Sequence, residues 1–178
     1  MIKPNWDIFK AKFSENHQDN FEWFCYLLFC REFKKENQSA IETDPIEQDG
    51  EVIGWQAKFY DTPLSSHKAE LIETIEKAKK VYPQITRLYF YTNQEWGQTR
   101  VGKSPQGLID IEKKADELAV KIKWNTASYF DSEFVSLSNE NVSKHFFQQD
   151  NSIFDQIEAQ SRHAENILYD IRTSAKFD

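Results

Sequence analysis

The sequence predicts an α/β fold, with a mixed central sheet of about four strands flanked by helices and further helices toward the C-terminus. Three observations predict it. Apolar residues recur at spacings of three and four in several long segments, the mark of amphipathic helices. Short runs rich in β-branched and aromatic residues alternate with those segments, as strands do in layered α/β domains. At 178 residues, with 39% hydrophobic and 29% charged side chains, the chain can bury a core of one domain and lacks the signature of disorder.

The elements follow in order. Asp19 to about Lys35 reads as a strongly apolar helix, with Phe21, Phe24, Cys25, Leu28 and Phe29 at helical spacing. Ser39 to Thr43 looks like a strand, followed by Pro45 and a turn signal at Asp49-Gly50. Val52 to Tyr60 is a second strand. Alternation puts Ile53, Trp55, Ala57 and Phe59 on one face and Gly54, Gln56, Lys58 and Tyr60 on the other. Ser65 or Ser66 caps a helix that runs to about Val81 and is stopped by Pro83, with Leu71, Ile72, Ile75 and Ala78 as its buried stripe. Arg87 to Thr92 is a third, central-looking strand, and Asn93 to Lys103 a polar loop. Ser104 caps the next helix, with Pro105 at its first position, and the helix runs to about Val120. Lys121 to Thr126 is a fourth strand. Shorter helical pieces follow around Ser132–Leu137 and Asn141–Phe147, then an amphipathic helix from about Ile153 to Ile171. Residues 1–150 read as one domain and 151–178 as a helical linker toward a further module.

Bulk properties narrow the function. No run approaches the roughly 18 apolar residues that a membrane span needs, and the first residues lack a signal-peptide core, so a cytoplasmic protein with no membrane contact is expected. Cys25 and Cys30 are five residues apart, about 500° of helical rotation, and read as two separate buried thiols in a reducing compartment. His17, His67, His145 and His163 are dispersed, without zinc-ligand spacing. The net charge of −7 counts against casual nucleic-acid binding, because phosphate contacts supply most non-specific affinity.

One segment carries chemistry: Glu42-Thr43-Asp44-Pro45, then Gln56-Ala57-Lys58. Residues two apart on a strand share a face, so Gln56 and Lys58 project together, and the Asp49-Gly50 turn folds Asp44 back toward them. A carboxylate, an amide oxygen and a backbone carbonyl are hard ligands suited to Mg²⁺ or Mn²⁺. A lysine beside them can orient a water and offset charge on a phosphate. The competing reading makes Lys58 a solvated strand residue and Asp44-Pro45 an ordinary turn.

A carboxylate closing one strand, then Gln-X-Lys on the next, resembles the PD-(D/E)XK nuclease superfamily in its Mrr-like version. The resemblance implies a restriction-endonuclease-like core and a metal site built from Asp44, Gln56 and the Ala57 carbonyl. It implies support from Glu22 on the preceding helix, with Lys58 as the catalytic lysine acting on double-stranded DNA. The segments Ile41–Ile46, Gly54–Phe59 and Tyr91–Glu95 look more narrowly like nuclease domains at the N-termini of bacterial antiviral STAND ATPases. That likeness implies a downstream ATPase and sensor module in the same polypeptide and a homo-oligomer, such as a tetramer, on activation. The order here is Asp44-Pro45 rather than Pro-Asp, and Glu42 lies nearby, so either acid can be the main ligand. Glu22 reads alternatively as an exposed acid favoured by the helix dipole.

Gly97 to Ser104 matches the P-loop pattern letter for letter. It does not follow directly from a strand, and Pro105 removes a backbone donor. A basic loop is the better reading, with Arg100 and Lys103 available to DNA phosphates. Lys79 and Lys80, at a helix end, are further candidates for DNA contact. A catalytically inactive domain that binds DNA or oligomerises is the alternative to a nuclease.

Overall fold

The computed structural model describes residues 3–33, 44–97, 104–132 and 140–148. Four strands form one sheet in the order β1-β2-β3-β4: β1 Ile46–Gln48, β2 Glu51–Lys58, β3 Arg87–Thr92 and β4 Lys121–Asn125. β1 runs antiparallel to β2, while β2, β3 and β4 are mutually parallel. The α/β class and the mixed four-stranded sheet are those expected from the sequence.

Alternating side chains divide the molecule into two cores. One face of the sheet presents Ile53, Ala57, Phe59, Tyr89 and Tyr91 to α1 (Trp6–Lys12), α2 (His17–Glu32), α5 (Ala127–Phe130) and α6 (Glu140–Phe147). The other presents Leu88 and Phe90 to α3 (Lys68–Val81) and α4 (Gln106–Glu117), which contribute Leu71, Ile75, Ile111 and Ala115. Parallel strands joined by helices are normally covered in this way on both faces.

The first core is built largely from aromatic rings. Trp6 meets Phe9, Phe21, Phe59, Phe130 and Phe147 edge-on, at centroid distances of 5.2–6.1 Å. Edge-to-face pairs add about 0.5–1.5 kcal/mol each beyond area burial, so α1 is tied to the domain by its first residue. The helix starts where the Asn5 carboxamide accepts from the backbone N–H groups of Asp7 and Ile8. No helix was expected from the sequence at this position.

Several boundaries differ from expectation for physical reasons. The strand that leads into the turn is Ile46–Gln48, three residues; the strand expected over Ser39–Thr43 lies outside the described residues. Asp49 (φ 51°) and Gly50 (φ 80°) form a two-residue turn with positive φ at both positions, the geometry that matches strand twist in a hairpin. Ser65 and Ser66 lie within a 3₁₀ turn, Leu64–His67, and α3 begins one residue later, without a side-chain cap. Pro105 takes the cap position in place of Ser104. α5 was not expected, and the helix expected over Ser132–Leu137 lies, past Ser132, outside the described residues; α6 falls within a residue of the expected Asn141–Phe147. The helix expected over Ile153–Ile171 is outside the described residues. Among those described, no helix is long and apolar enough to cross a membrane.

Candidate functional site

β2 supplies the centre. Its register against β3 runs unbroken from Ile53 to Lys58, but its pairing with β1 ends at Ile46↔Ile53. Backbone groups alternate in direction along a strand. Val52 exchanges hydrogen bonds with Thr86 on the β3 side, so Ala57 and Phe59 direct their backbone polar groups toward the opposite edge, beyond the end of β1.

Gln56 and Lys58 share the α3-facing side of β2, as the alternation requires. They line a cavity of ≈ 330 Å³ with Pro45, Thr74, Lys77 and Tyr82 among its other walls. The Lys58 ammonium lies 3.5 Å from the Glu70 carboxylate. Glu70 is held from its other side by His67 Nδ1 at 3.4 Å, and His67 Nε2 is 2.7 Å from the Thr62 hydroxyl. The His67 ring stacks on Tyr60 at 3.8 Å. Burial and the neighbouring Glu70 carboxylate push the Tyr60 phenol well above its ordinary pKa, so it stays a neutral hydroxyl. The Asn93 carboxamide pins the backbone below it, accepting from Tyr60 N–H at 2.7 Å and donating to Tyr60 C=O at 3.0 Å.

Asp44 stands at the edge of this cavity, next to Pro45. Having left the β1 ladder, it accepts a hydrogen bond from the Tyr82 hydroxyl at 3.1 Å. Tyr82 closes α3, so the end of that helix holds the acid. Glu42 is outside the described residues.

Glu22 belongs to a different surface. It is half-buried on α2 and lines a second cavity, of ≈ 310 Å³, with Asp19, Trp23, Tyr26 and Trp55. Its partner is Gln18, one helical turn earlier, whose amide nitrogen donates to Glu22 at 2.8 Å and to the Ala57 carbonyl at 3.2 Å. The structure thus brings Gln56, Lys58 and Pro45 together on one side of β2, and Glu22 with the Ala57 carbonyl at the edge of β2 that has no strand beside it among the described residues. It does not bring Glu22 into the cavity of Gln56 and Lys58.

The donors around β2 are two carboxylates, an amide and a backbone carbonyl, all hard oxygens of the kind Mg²⁺ and Mn²⁺ prefer. At the edge of β2 one nitrogen of Gln18 bridges the Glu22 carboxylate and the Ala57 carbonyl, so two oxygens of this donor set face the same side chain. Among the described residues no cluster of three or more His, Cys, Asp or Glu forms a metal site by itself. Any ion here would depend on the amide and carbonyl as well.

Of the expected DNA contacts, Arg100 and Lys103 are outside the described residues. Lys79 donates to the Ile85 carbonyl at 2.9 Å, fastening the end of α3 to the segment before β3, and Lys80 is exposed. Sequence reasoning missed Gln18, Glu70, Tyr82 and Asn93. Only Gln18 left a trace, its i,i+4 spacing from Glu22. No protein-family model matches the chain, and a search of curated proteins finds no match either.

Proposed function

We propose that the chain is a divalent-metal-dependent DNA endonuclease domain of the PD-(D/E)XK kind, hydrolysing phosphodiester bonds of double-stranded DNA with little sequence preference. The observation that carries this reading is the shared cavity of Gln56 and Lys58, flanked by Asp44 where β2 loses its antiparallel neighbour. The likeness of the Gln56-Ala57-Lys58 and Tyr91–Glu95 segments to antiviral effector nucleases supports a role in phage defence.

At the edge of β2 the Ala57 carbonyl and Glu22 would hold Mg²⁺ or Mn²⁺; Gln56 and Asp44, on the α3-facing side, would have to turn toward that edge to join them. When bound, such an ion polarises a scissile phosphate and lowers the pKa of a coordinated water. Lys58 places an ammonium on the same face as Gln56, where it would offset phosphate charge and orient the attacking water. Glu70, 3.5 Å away, is the carboxylate that positions that ammonium. Lys77, on the cavity wall, adds positive charge for the DNA backbone. With −7 net charge, affinity for DNA would come from this local patch and from neighbouring subunits.

The test is cleavage of supercoiled plasmid in Mg²⁺ or Mn²⁺ over a range of protein concentrations, so that assembly is allowed. Lys58→Ala and Gln56→Ala should each remove cutting and leave the circular dichroism spectrum unchanged. Cutting that survives both substitutions, or that persists in EDTA, contradicts the proposal. DNA binding without cleavage at any concentration would favour the inactive binding module.

A further inference from the structure

We infer that Gln18 is a gate on the metal site: its carboxamide occupies the two oxygens an ion needs and must swing out before the ion can enter. The inference rests on the nuclease reading for the role of Glu22 and Ala57, and assigns Gln18 a positioning role rather than a catalytic one.

Three hydrogen bonds define the gate. Gln18 Nε2 donates to Glu22 Oε1 at 2.8 Å and to the Ala57 carbonyl at 3.2 Å, while Gln18 Oε1 accepts from the Phe59 N–H at 2.8 Å. The orientation of the amide is dictated by its neighbours. Phe59 N–H can only donate and the Ala57 carbonyl can only accept, so flipping the carboxamide would oppose like groups. Both amide hydrogens are therefore committed to the two oxygens.

The placement follows from the fold. β1 pairs with β2 only as far as Ile53, which leaves the Ala57 carbonyl and Phe59 N–H directed at an edge without a strand in the described residues. Such groups, together with a half-buried carboxylate, need partners. Gln18 sits one turn before Glu22 on the same helix face and satisfies all three with one side chain. A divalent ion between Glu22 and Ala57 would need the space that the Gln18 amide fills between them, so amide and ion compete. The fold thus keeps the edge ordered without metal by weakening its hold on metal.

The experiment is Mn²⁺ titration by calorimetry on the intact chain and on Gln18→Ala, Gln18→Glu and Glu22→Gln, with melting curves on each. Gln18→Ala should bind Mn²⁺ on the order of threefold to thirtyfold more tightly, equivalent to one or two hydrogen bonds no longer displaced. Gln18→Glu retains the acceptor for Phe59 and replaces the donor with a second carboxylate. It should melt lower than the parent without metal and show the larger rise on adding Mn²⁺. Glu22→Gln should weaken binding. Equal or weaker binding by Gln18→Ala, with Glu22→Gln still impaired, overturns the gate and leaves the metal site standing. Mn²⁺ binding that ignores Glu22→Gln overturns the gate by placing the ion elsewhere. Absence of binding in every form overturns the gate and the nuclease reading together.

Discussion

Gly54 sits two residues before Gln56 on the same face of β2, where the strand meets the second core. A Cβ built on it would lie 2.6 Å from Ile85 Cδ1, 3.6 Å from Leu88 Cδ1 and 3.7 Å from Ile85 Cγ1. Carbon atoms prefer separations of about 3.5–4.0 Å, so Gly54→Ala forces the Ile85 side chain to move by roughly 1 Å. Ile85 and Leu88 are each 1% exposed and packed with Leu71 and Ile75, which leaves little room for that move. Overpacking of this kind costs about 1–3 kcal/mol. Alanine in place of glycine recovers about 0.4–1 kcal/mol through the unfolded chain. The net expectation is a loss of about 1–2 kcal/mol, read from urea denaturation at an unchanged m-value. Ile85→Val removes the clashing Cδ1, so the double variant should lose less than the sum of the singles, by about 1 kcal/mol. A Gly54→Ala protein as stable as the parent, or singles that simply add, would refute the claim that β2 is glycine here because α3 and Ile85 press close beside the candidate site.

Two further outcomes follow from the same geometry. Asn93→Ala strands the buried N–H and C=O of Tyr60, although Gln94 still donates to that carbonyl at 2.7 Å; it should cost about 1–3 kcal/mol in a urea melt, and a cost below 0.5 kcal/mol would show that water replaces the amide. Asp61, Asp110, Glu73 and Glu140 are held below the usual carboxylate range, first by hydrogen bonds from Lys10, Lys68, Lys77 and Lys144 respectively. A depressed folded-state pKa gives stability that is complete above the unfolded value and is lost as pH falls through the folded one. The melting temperature should therefore be governed by other groups near neutrality and decline below about pH 4, less steeply in Asp110→Asn, whereas a melting temperature that climbs on acidification would contradict the assignment.

How far the fold was legible depended on what each residue signalled locally. The β3 strand, Arg87–Thr92, was readable to the residue because its β-rich run is bounded by polar loops. The face assignment of β2 was equally plain, since period-two alternation survives whatever the neighbours are. α1 was missed because one apolar ring, Phe9, carries most of its burial and a seven-residue helix shows hardly two turns of pattern; its clue was the Asn5 cap. The three residues of β1, Ile46–Gln48, were passed over because a run that short between Pro45 and the turn shows no alternation to read. The site was half-legible. Gln56 and Lys58 could be paired from spacing alone. The links from Lys58 to Glu70, from Asp44 to Tyr82 and from Gln18 to Ala57 join residues 12 to 39 positions apart, and periodicity holds no information at that range.

The most direct test is a crystal of the intact chain soaked in Mn²⁺ and measured at the manganese absorption edge. The account predicts an anomalous peak within coordination distance of the Ala57 carbonyl and the Glu22 carboxylate, with the Gln56 amide oxygen or the Asp44 carboxylate turned toward it to complete the set. A well-ordered map with no peak beside β2, or with the ion bound at another surface, would contradict it.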